Sequence, residues 1–241
     1  MRVGGVREPF RRPRTWKIDR GIGTRDVWRE GAGRVVELIR RRGALVVVSA
    51  PSGAGKSTLC NEVRSVVPDL YYSVSYTTRA PRPGEVDGTD FHFVTEAEFI
   101  AMRDRGGFAE WAAVHGHLYG TPARALEGAL GRGLDVLLDI DTHGARQLRQ
   151  RYPEAVSVFI MAPSMAELEA RLRERKSDAP GEIQRRLSRA REEIAAWRQY
   201  DYLIINRDVK EAADQLATII QAERWRTSRL TLEFPDMEAP K

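Results

Sequence analysis

The sequence predicts an α/β fold, a parallel sheet flanked by helices, and three observations carry that prediction. Four short apolar runs stand out: "ALVVVSA" (44–50), "LDVLLDID" (134–141), "AVSVFIM" (155–161) and "DYLIIN" (201–206). Runs of this kind, without polar alternation, belong to strands buried on both faces. Helical stretches separate them, and such alternation closes into a parallel sheet through right-handed crossovers. With 241 residues and 42% hydrophobic content, the chain can bury one core and carry small inserted lobes. No run is long and apolar enough for a membrane span, and no secretory signal opens the chain, so a cytoplasmic protein without membrane contact is expected. The single cysteine, Cys60, excludes an internal disulfide and fits a reducing compartment.

Taken in order, residues 1–43 form a basic extension. They hold 13 Lys/Arg against 5 Asp/Glu, leaving 26 against 29 for the rest, so the formal charge of +5 belongs to this segment. Rich in Arg, Gly and Pro and lacking an apolar period, it is expected to be poorly ordered, with a short helix at "VVELIRRR" (35–42). With Trp16 and Trp28 it is also a candidate contact for nucleic acid or another acidic surface. The folded domain is expected over 44–226, with a tail at 227–241. Between 71 and 121 the pattern changes to short alternating pieces such as "YYSVSYTT" and "DFHFV", with a helix near 95–105 and several Gly/Pro turns, which marks an inserted mixed lobe. Residues 164–199 are helical and rich in Arg and Glu, interrupted at "SDAPGE", where Asp178 is placed to cap a helix and Pro180 to sit in its first turn.

After the first apolar run come Ala50, Pro51, Ser52, Gly53, Ala54, Gly55, Lys56, Ser57 and Thr58. A strand feeding a glycine-containing loop and then a helix builds an anion cradle from backbone N–H groups and the helix dipole. The usual phosphate-loop pattern has Gly where Ala50 stands, a departure of one methyl. Lys56 is expected to reach the β- and γ-phosphates of a nucleoside triphosphate, and the Ser57 hydroxyl to ligate Mg²⁺. Arg79 and Arg82 bracket Pro81 in a stiff turn suited to bidentate anion contacts, although such a pair is often merely solvated. Asp139 and Asp141, two apart after "DVLL", fall at the carboxyl end of a buried strand, where open α/β sheets bind ligands; helix capping is the alternative. His92, His115, His117 and His143 make no recognisable metal or nucleophile motif.

The segments "APSGAGKS", "SYTTRAPRPGEVDGTDFHFV", "FAEWAAVHGHLYGT" and "LLDID" stand in the order and spacing of the guanylate kinase family, which the chain resembles over about residues 44–226. The resemblance implies the P-loop nucleoside monophosphate kinase fold, with a GMP-binding lobe at about 76–122 and a helical lid at about 171–186. It implies ATP and GMP as substrates and Mg²⁺ as cofactor. Ser75, Glu110 and Thr121 would contact guanine, Arg79, Arg82 and Tyr119 would hold the GMP phosphate, and Asp139 and Asp141 would organise the metal and acceptor region. Arg171, Arg175 and Arg186 match the lid arginines. Two departures stand out. Phe91 replaces a tyrosine whose hydroxyl touches the GMP phosphate, and Glu174 and Lys176 replace glycines flanking the middle lid arginine, which would stiffen the hinge.

The residue types make chemical sense of that assignment. Guanine offers N1–H and N2–H₂ as adjacent donors, which one carboxylate accepts together, while O6 needs a donor such as a Ser or Thr hydroxyl. Adenine reverses the pattern, and a hydrogen-bonding site of this kind discriminates by about 10⁴ or more. Two rivals remain on sequence alone: a non-catalytic interaction module of the same fold, which Lys56 and Ser57 argue against, and a kinase for another small phosphorylated acceptor, which Ser75, Glu110 and Thr121 argue against.

Overall fold

The structure, a computed structural model, describes residues 27–30, 34–37, 39–114, 116–174 and 180–232. The chain divides into two units: residues 41–230, and the segments that flank them in sequence. In the flanking unit, Val27–Glu30 pairs antiparallel with Arg34–Glu37. This corrects the helix expected at 35–42, since Arg34–Glu37 and Ile39–Arg41 are strands, and gives residues 27–30 and 34–37 of the extension expected to be poorly ordered a paired conformation. β-branched Val35, Val36 and Ile39 disfavour a helix, and one so short is marginal by itself. Residues 1–26, with Trp16, lie outside the described residues.

The larger unit runs β1 (Leu45–Ser49), α1 (Lys56–Val66), β2 (Leu70–Tyr72), β3 (Tyr76–Thr77), β4 (His92–Phe93), α2 (Glu96–Asp104), β5 (Phe108–Val114), β6 (His117–Pro122), α3 (Ala123–Gly131), β7 (Asp135–Asp139), α4 (Thr142–Arg151), β8 (Val156–Met161), α5 (Met165–Glu174), α6 (Pro180–Ala195), β9 (Tyr202–Ile205) and α7 (Val209–Glu223). β9, β8, β1, β7 and β2 form, in that order, an all-parallel sheet. Every residue of β1 is buried, and its alternation splits the core in two. Val46 and Val48 join Leu59 and Val63 of α1 and Leu216 and Ile220 of α7. Leu45 and Val47 join Leu126 of α3 and Leu148 of α4 on the opposite face. Each such side chain, fully buried, contributes about 1.5–3 kcal/mol.

Leu70–Tyr72 is the edge strand of this sheet, with Leu70 opposite Asp135 and Tyr72 opposite Leu137, so Tyr71 and Tyr72, where the pattern begins the inserted lobe, belong to the main sheet instead. The lobe is a second sheet in the order β4, β3, β6, β5. A capping box of Thr95 and Glu98 starts α2, and buried Phe99 stacks on Phe108 with ring centroids 4.5 Å apart. That ring occupies the space a side chain on Gly120 would need, 2.8 Å from an ideal Cβ. α5 and α6 share a small apolar cluster of Leu172, Ile183 and Leu187. Pro180 opens α6 as expected, while Arg175, Lys176 and Asp178 lie outside the described residues, as does His115.

At the start of β7 the fully buried Asp135 carboxylate pairs with Arg41, accepts from Arg224 Nε at 2.6 Å and from the Ala44 N–H at 2.9 Å. A buried charge supplied with this many donors is tolerated; losing its partners is costly.

Candidate active site

The loop between β1 and α1 owes its shape to two glycines. Gly53 and Gly55 adopt φ of 90° and 87°, the left-handed region that glycine enters freely. Neighbours also crowd both positions: an ideal Cβ on Gly53 would lie in tight contact, 3.0 Å from Leu172 Cγ, and one on Gly55 would collide at 2.5 Å with Asn206 Nδ2. Asn206, buried at the end of β9, donates to the Ala54 carbonyl at 2.8 Å and so braces the loop from below. Gly55 is the N-cap of α1 and no side chain caps that helix, leaving its first N–H groups for an anion. Ala50, where glycine was the usual residue, buries its methyl in the core cluster, which absorbs the departure.

Lys56 and Ser57 open α1 and turn toward the carboxyl end of β7. The Lys56 ammonium pairs with Asp139 and donates to the Ile140 carbonyl at 3.0 Å. Burial works against its charge, but the Asp139 carboxylate outweighs this and holds the ammonium above the ordinary lysine range. Ser57 Oγ donates to Asp139 Oδ2 at 3.2 Å. Asp141 caps α4, accepting from the Gly144 N–H at 2.7 Å, while its other oxygen lies 3.8 Å from Arg189. Capping and facing the site are thus both true of Asp141.

A cavity of about 380 Å³ gathers almost the whole predicted acceptor set: Ser75, Arg79, Arg82, Phe91, Glu110, Tyr119, Asp139 and Asp141, together with Lys56 and Ser57. Arg79 donates to Glu85 at 2.8 Å and lies 5.4 Å from the Phe91 ring centroid. Glu85 also accepts from the Arg82 N–H at 2.7 Å, so one carboxylate orients the turn that carries both arginines. Glu110, 6% exposed, is pushed up to about 7 by burial, with the Asp141 charge adding to the effect and the Thr121 hydrogen bond opposing it. Thr121 is fully buried, does not line the cavity, and its hydroxyl donates to Glu110 at 2.6 Å.

A second cavity of about 220 Å³ lies over the loop, lined by Ala50, Pro51, Ser52, Gly53, Gly55, Lys56 and Ser57 and by Asp141, Arg186, Arg189 and Glu193. Ala54 and Thr58 do not line it. Nor does Arg171, which is engaged by Glu167 at 3.0 Å and by the Asn206 carbonyl at 3.1 Å. Sequence reasoning missed Arg189, whose signal was its position one helical turn beyond Arg186, and Glu85, whose signal was its place in the arginine turn. Lys56, Ser57 and Asp141 line both cavities, so the two open onto the same short stretch of the sheet's carboxyl edge.

Residues 42–223 match the family model described as guanylate kinase. Curated guanylate kinases of Geobacter metallireducens and Geobacter sulfurreducens are each 50% identical over 192 residues, which cover 80% of this chain and 95% of theirs. The solved guanylate kinase of Anaplasma phagocytophilum is 36% identical with a TM-score of 0.69, over 80% of this chain and 92% of that one. A sheet of this order, a loop of this shape and matches of this extent place the chain in one group: it belongs to the guanylate kinase family.

Proposed function

We propose that the protein transfers the γ-phosphoryl group of ATP to GMP, giving ADP and GDP, with Glu110 reading guanine in the larger cavity and the loop holding ATP in the smaller. The observation that carries this reading is the sharing of Lys56, Ser57 and Asp141 by both cavities. Phosphoryl transfer needs little covalent help from a protein; positioning and charge stabilisation around an in-line displacement do most of the work. A GMP phosphate oxygen attacks the γ-phosphorus while its bond to the β-bridging oxygen breaks.

Each side chain then has a task set by its surroundings. Arg79 and Arg82, on the turn held by Glu85, receive the GMP phosphate with Tyr119. Ser75 supplies the donor for O6. Lys56 neutralises charge developing between the β- and γ-phosphates, and Arg186 reaches the donor phosphates from α6. Arg171, hydrogen-bonded to the Asn206 carbonyl, supports the loop from behind. Arg175 lies outside the described residues. Lid and lobe exclude water, the competing acceptor.

Mg²⁺ suits the residues present. Among the described residues no group of three His, Cys, Asp or Glu is placed to hold a metal, and Mg²⁺ is usually held by one or two protein oxygens plus nucleotide phosphates and waters. Ser57 and Asp139, 3.2 Å apart, are the oxygens for that role. Bound there, the ion would neutralise phosphate charge. No described helix is long and apolar enough to cross a membrane, and a cytoplasmic setting, with its ATP and GMP, completes the reading. A coupled assay of ADP release with GMP, AMP, CMP and UMP tests it. Turnover should be confined to GMP and abolished in Lys56→Ala; equal turnover of AMP and GMP would overturn the base assignment.

A further inference from the structure

Lys56, Arg64, Arg79 and Arg82 are the cations that line the larger cavity. The protein itself neutralises two of them, Lys56 through Asp139 and Arg79 through Glu85. Among the described residues no carboxylate pairs with the guanidinium of Arg82 or of Arg64. Arg82 is accounted for by the turn it shares with Arg79. Arg64 is not, since it comes from α1 rather than from the lobe.

Ser57, Asn61 and Arg64 stand at i, i+4 and i+7, one face of α1, and all three line the cavity. A helical side chain leans toward the N-terminus of its helix, and Arg64 does so: its Nη1 donates to Asn61 Oδ1 at 3.4 Å, one turn back. The charge is thereby carried toward the end of α1 where Lys56 and Ser57 stand. A bond that long would not hold it there alone. Tyr72, at the end of β2, packs its ring against the core and lies under the guanidinium, with Arg64 Cζ 4.2 Å from the ring centroid. The ring lines the same cavity. Stacking uses the face of a guanidinium and leaves its N–H edge to an acceptor.

The acceptor that edge would meet follows from charge. Of the carboxylates around the cavity, Glu85 and Asp139 are spent on Arg79 and Lys56, Asp90 on the Val86 N–H at 2.8 Å, and Asp141 on the cap of α4. An anion for Arg64 must therefore come from outside the protein, and the anionic part of GMP is its phosphate. Phe91, on the lobe side, lines the cavity with no donor to offer that group. We infer that Arg64 is a third arginine for the acceptor phosphate, reaching it from α1, and that Tyr72 is the positioning residue that holds it there. The inference rests on the proposed transfer to GMP, so the experiment separates the two.

Steady-state constants for GMP at saturating ATP, and for ATP at saturating GMP, are measured with the full-length wild type, Arg64→Gln, Tyr72→Leu, Tyr72→Phe and the double variant Arg64→Gln/Tyr72→Leu. Competitive inhibition by guanosine, which has no phosphate, and the melting temperature accompany them. Arg64→Gln should raise KM for GMP about 10-fold, the loss of a bond to a charged group, with kcat, KM for ATP and the guanosine inhibition constant within about twofold of wild type. Arg64 is exposed, so this variant should melt within about 2 °C of wild type. Tyr72→Leu should raise KM for GMP about 2- to 5-fold, the worth of an exposed cation–π contact, while Tyr72→Phe keeps the wild-type value. Once Arg64 is glutamine, Tyr72→Leu should add nothing further. A wild-type KM for GMP in Arg64→Gln would overturn the inference, as would an equal loss for ATP or for guanosine. Effects of Arg64→Gln and Tyr72→Leu that multiply would overturn the role of Tyr72. GMP turnover by the wild type with KM unchanged in Arg64→Gln leaves the proposed function standing and the inference fallen; no turnover of GMP by the wild type sinks both.

Discussion

Replacing Glu110 by glutamine should make the empty protein more stable at alkaline pH while ruining its recognition of GMP. Burial raises the Glu110 carboxyl from an ordinary 4.5 to about 7. In the unfolded chain it ionises near 4.5, so between these values the native state holds a proton that the unfolded state has released. Stability contributed by this group therefore falls as pH rises from about 4.5 to 7, and the full cost is present above 7. At about 1.4 kcal/mol per pH unit, the cost is roughly 1 kcal/mol at pH 5 and 3 kcal/mol at pH 8. Glutamine, neutral throughout, escapes it. Urea denaturation of wild type and Glu110→Gln at pH 5 and pH 8 measures the effect. The gain of the variant should be larger at pH 8 by about 2–2.5 kcal/mol. Taking the difference between variants cancels other titrating groups, including Glu193, which burial also raises. A gain equal at both pH values would refute the claim that burial strains this carboxylate. On the proposed reading a bound guanine would return two donors to the same group, the usual compromise between stability and function.

Phe91→Tyr should lower KM for GMP about 10-fold, since the ring lines the acceptor cavity and a hydroxyl there would add a bond to a charged phosphate; an unchanged or higher KM in initial-rate measurements counts against it. Asp135→Ala should cost about 3–5 kcal/mol in chemical denaturation, because Arg41 and Arg224 lose their shared buried carboxylate; a loss below about 1 kcal/mol would show the cluster to be dispensable. Deleting residues 1–40 should abolish any salt-dependent retention on a nucleic-acid column while leaving GMP turnover intact, because the basic excess lies there; full retention by the shortened chain would dismiss that role.

Much of the fold was legible because burial on two faces leaves an unambiguous trace. The four apolar runs became β1, β7, β8 and β9 with no end shifted by more than two residues. β2 was hidden because it is three residues long and only half buried, so its composition matched the lobe beside it. The antiparallel pair before residue 40 was hidden by charge: each strand has two charged residues among four, VWRE and RVVE, without alternation and too short for a periodic signal. At the site, residue types and spacing located the loop, the arginine turn and the acidic pair. Direction was another matter. Nothing in the order of letters tells that the Thr121 hydroxyl is spent on Glu110, that Asp141 spends one oxygen on a helix cap, or that Arg171 turns to the Asn206 carbonyl. Gly144 illustrates the same limit, since the oxygen nearest the place of its missing side chain belongs to Glu110, 34 positions away, and only the folded chain brings them together.

The central claim, that a buried carboxylate sorts the acceptor base, is tested most directly by a crystal structure of the protein with GMP bound. Both guanine N1 and N2 should lie about 3 Å from the Glu110 oxygens, with Thr121 still donating to the same carboxylate. Guanine seated beyond hydrogen-bonding distance of Glu110 would contradict the account.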